Sequence, residues 1–146
     1  MRLGTRLGAY VEQMESGTVF DASTGFELPT GDTLEPDLAY VSASRLRRGP
    51  KPSRSGFLRA VPSLVVEILS PSTRSRDLRT KRGIYERSGV SEYWVIDTER
   101  RTVRAFRRVH GGFAEPRVYA ASEGDVLRST AVRGFVVAVA DLFLEI

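Results

Sequence analysis

Apolar and polar positions change their spacing several times along this chain, and each change marks an element. Leu3, Leu7, Tyr10, Val11 and Met14 follow the helical i, i+3, i+4 rule, which predicts a helix over residues 3–15 closed by Gly17. Val19-Phe20 and Phe26-Glu27-Leu28 read as short strands around a turn from Asp21 to Gly25, and Pro29-Thr30-Gly31-Asp32 reads as another turn. Leu38 to Val41 is a strand entered through Glu35-Pro36-Asp37. Residues 42–61 are rich in Arg, Ser, Gly and Pro and are expected to form a long loop, a length usually reserved for function or mobility. Ser63 to Leu69 and Glu92 to Asp97 are apolar at successive positions, as in strands of a sheet covered on both faces. Between them residues 75–89 have a helical pattern that Gly89 stops. Strand, helix and strand form a crossover, so the two strands are expected to be parallel neighbours. Thr102 to Val109 and Phe113 to Ala120 alternate and are joined by His110-Gly111-Gly112, a hairpin signal that makes His110 a turn residue. Val126-Leu127, Val132 and the tail from Phe135 to Phe143 complete the core. The class implied is α/β, with a central mixed β-sheet flanked by helices.

Composition narrows this picture by exclusion. The 146 residues suit one domain over positions 1–146. No apolar run approaches the roughly 18 residues of a membrane span. Met1-Arg2-Leu3-Gly4 lacks the apolar core and small-residue cleavage site of a signal peptide. Cysteine is absent, which excludes disulfides and thiolate metal sites, and the single histidine, His110, excludes a multi-histidine zinc site. A cytoplasmic location is the expectation. The net charge of +4 and the pI near 9.8 favour a polyanionic partner. Arg45, Arg47, Arg48, Lys51, Arg54 and Arg59 form one basic stretch, and Arg74, Arg76, Arg79 and Arg82 form another. Either can be a solvated surface; the functional alternative is contact with phosphates, above all by Arg45, Arg47, Arg48, Arg74 and Arg76.

Three residues break the pattern in a way that points to chemistry. Lys81 falls in the middle of the apolar arc of Leu78, Ile84 and Tyr85, while Arg76, Arg79 and Arg87 lie on the opposite side. Lys51 and Lys81 are the only lysines among 22 basic residues, so a compact ammonium has been used where the chain otherwise uses arginine. Glu67 interrupts the apolar run from Leu64 to Leu69, and a buried carboxylate needs a cation, a metal or a proton. Asp37 stands at the mouth of the preceding strand. Residues 65, 67 and 69 share one face, and the helix that follows must pack on a face of this strand, so Lys81 can approach Glu67. Two carboxylates and a lysine around one cleft suit metal-assisted phosphodiester cleavage, and oxygen ligands without His or Cys select Mg²⁺ or Mn²⁺. Each residue also has a plainer reading. Asp37 can be a turn residue, Glu67 and Lys81 a buried ion pair, and Asp77 a stabiliser of its helix N-terminus.

Glu35-Pro36-Asp37-Leu38-Ala39-Tyr40-Val41, Val61-Pro62-Ser63 through Glu67-Ile68-Leu69-Ser70-Pro71-Ser72-Thr73, then Asp77, Lys81, Tyr85, Gly89-Val90 and Glu92-Tyr93-Trp94-Val95-Ile96-Asp97 together resemble the Uma-two family. That is a bacterial group of restriction-endonuclease-like proteins in the PD-(D/E)XK nuclease superfamily, and the likeness runs from about residue 3 to residue 143. The resemblance implies a restriction-endonuclease-like fold, DNA as partner and Mg²⁺ (or Mn²⁺) as cofactor. It makes Asp37 and Glu67 the metal-holding acids, with the Ile68 carbonyl as a further ligand. The superfamily's usual lysine would stand at Leu69; in this family it is thought to come from the next helix, which matches Lys81. Related nucleases often cut as dimers, which leaves a homodimer open. The resemblance also leads one to expect an upstream hairpin that this chain lacks, with Glu12 and Glu15 the only candidates for an acid on the first helix. A catalytically inactive module that binds nucleic acid or a protein is the alternative the sequence leaves standing.

Overall fold

The computed structural model of the chain describes residues 2–49, 56–69 and 76–144, the side chains of Arg76 and Asp77 excepted. The first helix, α1, spans Arg2–Met14 and buries Leu3, Leu7 and Val11, its apolar stripe. It ends at Met14, and the left-handed turn is made by Glu15 (φ 52°), not by Gly17. Gly17 instead opens strand β1 (Gly17–Asp21), where a Cβ would strike the Val41 carbonyl oxygen of the neighbouring strand. Strands β2 (Phe26–Glu27) and β3 (Thr33–Leu34) pair as a small ribbon, and β4 covers Leu38–Ser42. The expected loop over residues 42–61 contains a short helix, α2 (Ala43–Arg48), whose N-terminus is capped by the Ser42 hydroxyl accepting from the Arg45 N–H.

Strand β5 (Leu64–Leu69), helix α3 (Arg76–Ser88) and strand β6 (Glu92–Asp97) form the expected crossover, with β5 and β6 parallel from Leu64↔Glu92 to Leu69↔Asp97. Helix α3 closes on Gly89 at φ 96°: the Val90 N–H reaches the Tyr85 carbonyl and the Gly89 N–H the Glu86 carbonyl, the paired bonds of a left-handed C-terminal cap. The hairpin beyond is β7 (Thr102–Val109) and β8 (Gly112–Phe113), with His110 at φ 61° in the turn as expected. The returning strand is not continuous to Ala120. It breaks around Pro116, which has no N–H to give a ladder, and resumes as β9 (Arg117–Ala120). Strands β10 (Val126–Arg128) and β11 (Val136–Ala138) make a second ribbon.

Among the described residues the main sheet has seven strands in the order β1-β4-β5-β6-β7-β8, with β9 also on β7. Only β5 and β6 are parallel among its pairings, so the sheet is mixed. Its two faces carry separate cores. Leu64, Val66, Trp94 and Ile96 face α1 and the C-terminal segment. Val65, Tyr93, Val95 and Phe106 face Ile84 and Tyr85 of α3. The first face also contains Glu92, fully buried, whose carboxylate accepts from Trp94 Nε1, Arg107 Nε, the Ser129 hydroxyl and the N–H groups of Thr130 and Ala131. No helix among the described residues is long and apolar enough to cross a membrane.

Candidate active site

Glu67 shares strand parity with Val65 and therefore points to the α3 face of the sheet. Strand β4 runs antiparallel to β5 with Leu38 opposite Val66, so one step further Asp37 stands opposite Glu67. Regular pairing stops there, and the two acids close the ladder with their side chains. The Ile68 N–H donates to Asp37 Oδ2 at 2.7 Å, and the Asp37 N–H approaches Glu67 Oε1 at 3.4 Å, the outer limit of a useful bond. In an extended strand a residue's N–H and C=O point to the same side, so the Ile68 carbonyl also turns toward Asp37.

Helix α3 supplies the other side of the site. Lys81 and Tyr85 are one turn apart, hence on one face of the helix, and both reach the same oxygen. The Tyr85 hydroxyl donates to Glu67 Oε2 at 2.8 Å, and Lys81 Nζ lies 3.5 Å from it. The expected approach of Lys81 to Glu67 is therefore present. Lys81 is not a core residue, however: its side chain is 32% exposed against 9% for that of Glu67. The lysine sits at the rim, with its ammonium paired inward to the carboxylate and its side chain partly exposed. The hydroxyl of Tyr85 is the partner that sequence reasoning missed. The i, i+4 relation to Lys81 was the available signal.

Burial dominates the electrostatics. It raises the Glu67 pKa, as does nearby Asp37, while the Lys81 charge and the Tyr85 hydrogen bond oppose the rise. Burial and the adjacent carboxylate push Tyr85 far above the usual phenol range, which keeps it a neutral donor. No cluster of three His, Cys, Asp or Glu side chains occurs among the described residues. The donors at this site are two carboxylates and one main-chain carbonyl. Tyr85 and Lys81 occupy Glu67 Oε2, whereas Oε1 has only the long Asp37 contact. That set fits Mg²⁺, which keeps several waters and takes one or two carboxylates.

The arginines divide between the two ends of α3. Arg45 donates to the Val61 and Pro62 carbonyls and to the Ser91 hydroxyl, a bracing role at the start of β5. Arg45 and Arg48 line a cavity of about 510 Å³ together with Ser88 and Gly89. Seven residues of helix separate Ser88 from Lys81, about 10 Å along the axis, so these side chains are not gathered at the acids. Arg47 is on the same short helix, α2. Arg74 lies outside the described residues, as does the side chain of Arg76. The acid end of α3 has its own arginines. Arg79, Arg82, Arg100 and Arg104 line an open groove of about 810 Å³ with Leu69 and Leu78.

A family model, Uma2, described as "Putative restriction endonuclease", matches residues 1–140. Among solved structures, the crystal structure of a "putative nuclease belonging to DUF820" from Anabaena variabilis superposes with a TM-score of 0.77 at 17% sequence identity. The match covers 97% of this chain and 76% of that one, and at this identity it speaks for the fold alone. No curated protein matches the chain.

Proposed function

The chain belongs to the Uma2 family, and on that footing we propose that it is a metal-dependent DNA endonuclease that hydrolyses phosphodiester bonds. The observation that supports this most is the Lys81 ammonium 3.5 Å from a buried Glu67 that stands beside Asp37, one step past the last register pair Leu38↔Val66. A carboxylate buried only for a structural ion pair would have both oxygens filled, because unmet buried acceptors cost stability. Here the cation remains accessible and one carboxylate oxygen is nearly free.

In this reading Asp37, Glu67 and the Ile68 carbonyl hold Mg²⁺ or Mn²⁺. When bound, the cation supplies electrostatic stabilisation of the phosphate and a water of lowered pKa. Tyr85 fixes the Glu67 carboxylate through Oε2, which leaves Oε1 toward Asp37. Lys81 has donors beyond the one facing Glu67. They orient the attacking water and meet the negative charge that grows on the phosphate oxygens.

The test is nicking of supercoiled plasmid in Mg²⁺ or Mn²⁺ by wild type and by Lys81→Ala. The expected loss is about 10²–10³-fold, the scale for removing one preorganised donor at a developing charge. The melting temperature should barely move. Equal nicking by both proteins would refute the assignment.

A further inference from the structure

The groove beside the acids has a composition that the metal site does not explain. Its floor begins at Leu69, two residues beyond Glu67 on the same strand face and about 7 Å along the strand. Its wall begins at Leu78, three residues before Lys81 on the same helix. The groove therefore starts beside the acid pair on β5 and α3 and runs away from it over β6, β7 and β9; Asp37, Glu67 and Lys81 do not line it themselves. Four guanidinium groups arrive there from separate parts of the chain. Arg79 and Arg82 are neighbours on α3, Arg100 comes from the turn between β6 and β7, and Arg104 comes from β7 itself.

Among the described residues, the one salt bridge that these four cations form is a long ion pair. Arg82 lies over the Phe106 ring at 5.5 Å, which pins its guanidinium against β7 without neutralising it. Arg79 and Arg104 are exposed, and neither forms an ion pair among the described residues. Arg100 has only a 3.9 Å approach to Asp97, with its side chain 71% exposed. Asp97, the acidic residue lining the groove, turns its Oδ1 to the N–H groups of Glu99 and Arg100. Four cations along one open groove exceed what a single phosphate needs. They match a chain of phosphates, which arginine recognises with its fork of donors.

We infer that this groove is the track of the nucleic-acid backbone: Arg79, Arg82, Arg100 and Arg104 hold successive phosphates and deliver the next one to Lys81 and the acid pair. The inference rests on the nuclease reading and adds which residues carry the substrate. The arginines of α2 have no part in it.

The test is binding of a short fluorescein-labelled DNA duplex by fluorescence anisotropy, in EDTA, across a salt series. Wild type is compared with Arg79→Gln/Arg100→Gln/Arg104→Gln and with Arg47→Gln/Arg48→Gln. Removing one phosphate-binding cation lowers the slope of log affinity against log salt by about 0.9. The triple variant is expected to lose between two and three units of slope (about 0.9 per cation), and the α2 variant none. A circular dichroism melt of each variant checks folding, which exposed substitutions should leave intact. Wild-type slope in the folded triple variant, with the loss in the α2 variant instead, would overturn the groove assignment and leave the nuclease reading standing. No binding by wild type even at low salt would overturn both.

Discussion

Two glutamates on adjacent strands are both buried, and they have opposite characters. Glu92, on the α1 face, is completely enclosed and accepts five hydrogen bonds, three on Oε1 and two on Oε2. Glu67, on the α3 face, is almost as enclosed, yet one oxygen holds Tyr85 and Lys81 while the other has a single neighbour at 3.4 Å. The first carboxylate ties β6 to β7 and to the segment at Ser129–Ala131. The second stands beside another acid and beneath an accessible ammonium. Burial alone does not distinguish a structural carboxylate from a reactive one. Unfilled acceptor capacity next to like charge does, because nothing in the fold itself accounts for that arrangement.

The contrast is tested most severely at Glu92. Glu92→Ala takes the acceptor from five donors at once, the buried Trp94 Nε1 and Ser129 hydroxyl among them, and loss of one partner from such a buried charged network costs about 3–5 kcal/mol. Urea denaturation should show that loss, or no folded protein at all. Glu67→Gln should leave the fold intact and instead abolish metal-dependent nicking. A variant at Glu67 that unfolds like the one at Glu92 would erase the distinction. Tyr85→Phe gives a smaller effect. Without its hydroxyl, Glu67 keeps its ion pair but loses its orientation, and metal affinity should fall about 10–100-fold. Rates measured at saturating metal should recover much of the lost activity, which a general loss of structure would not allow.

The smallest effect is electrostatic. The folded Glu67 pKa lies above its ordinary value of 4.5. An unfolded glutamate ionises near that value while the folded one still holds its proton, so the folded state binds more protons in the window just above it. Stability of the metal-free protein therefore falls as pH rises from about 4.5 through the raised pKa, by at most about 1.4 kcal/mol per pH unit. The difference in unfolding free energy between Glu67→Gln and wild type, measured in EDTA, should grow in favour of the variant across that window and then level off. A difference that does not change with pH would mean that burial does not strain this carboxyl.

Much of this was legible in the chain because it depends on local periodicity. The amphipathic stripe of α1, the doubly apolar β5 and β6, and the α3 crossover follow from spacing alone, and the crossover makes β5 and β6 parallel. Asp37, Glu67 and Lys81 could be singled out because each violates its local pattern. The missed features are of two kinds. Helix α2 has a polar, Arg-rich sequence with only Leu46 partly packed, so its periodicity is silent, and its capping Ser42 gave the only cue. Arg79 and Arg82 were visible as a basic stretch, but the network around Glu92 and the meeting of those two arginines with Arg100 and Arg104 depend on contacts between distant parts of the chain. Ser129 and Thr130 close on Glu92 from 37 and 38 residues away, and Arg104 meets Arg79 only because β7 runs beside β6 under α3. No window of sequence contains those relations. Gly17 shows the reverse error: a glycine after a helix looked like its stop, but the close approach of β4 is what requires it.

Glu67, unlike Glu92, keeps acceptor capacity that a divalent cation can use. Calorimetric titration of Mn²⁺ into metal-free wild type and Glu67→Gln, both verified as folded, tests that difference directly. Saturable binding to wild type that Glu67→Gln abolishes is the expected result. Equal heats for the two proteins, or no binding by wild type at millimolar Mn²⁺, would contradict it.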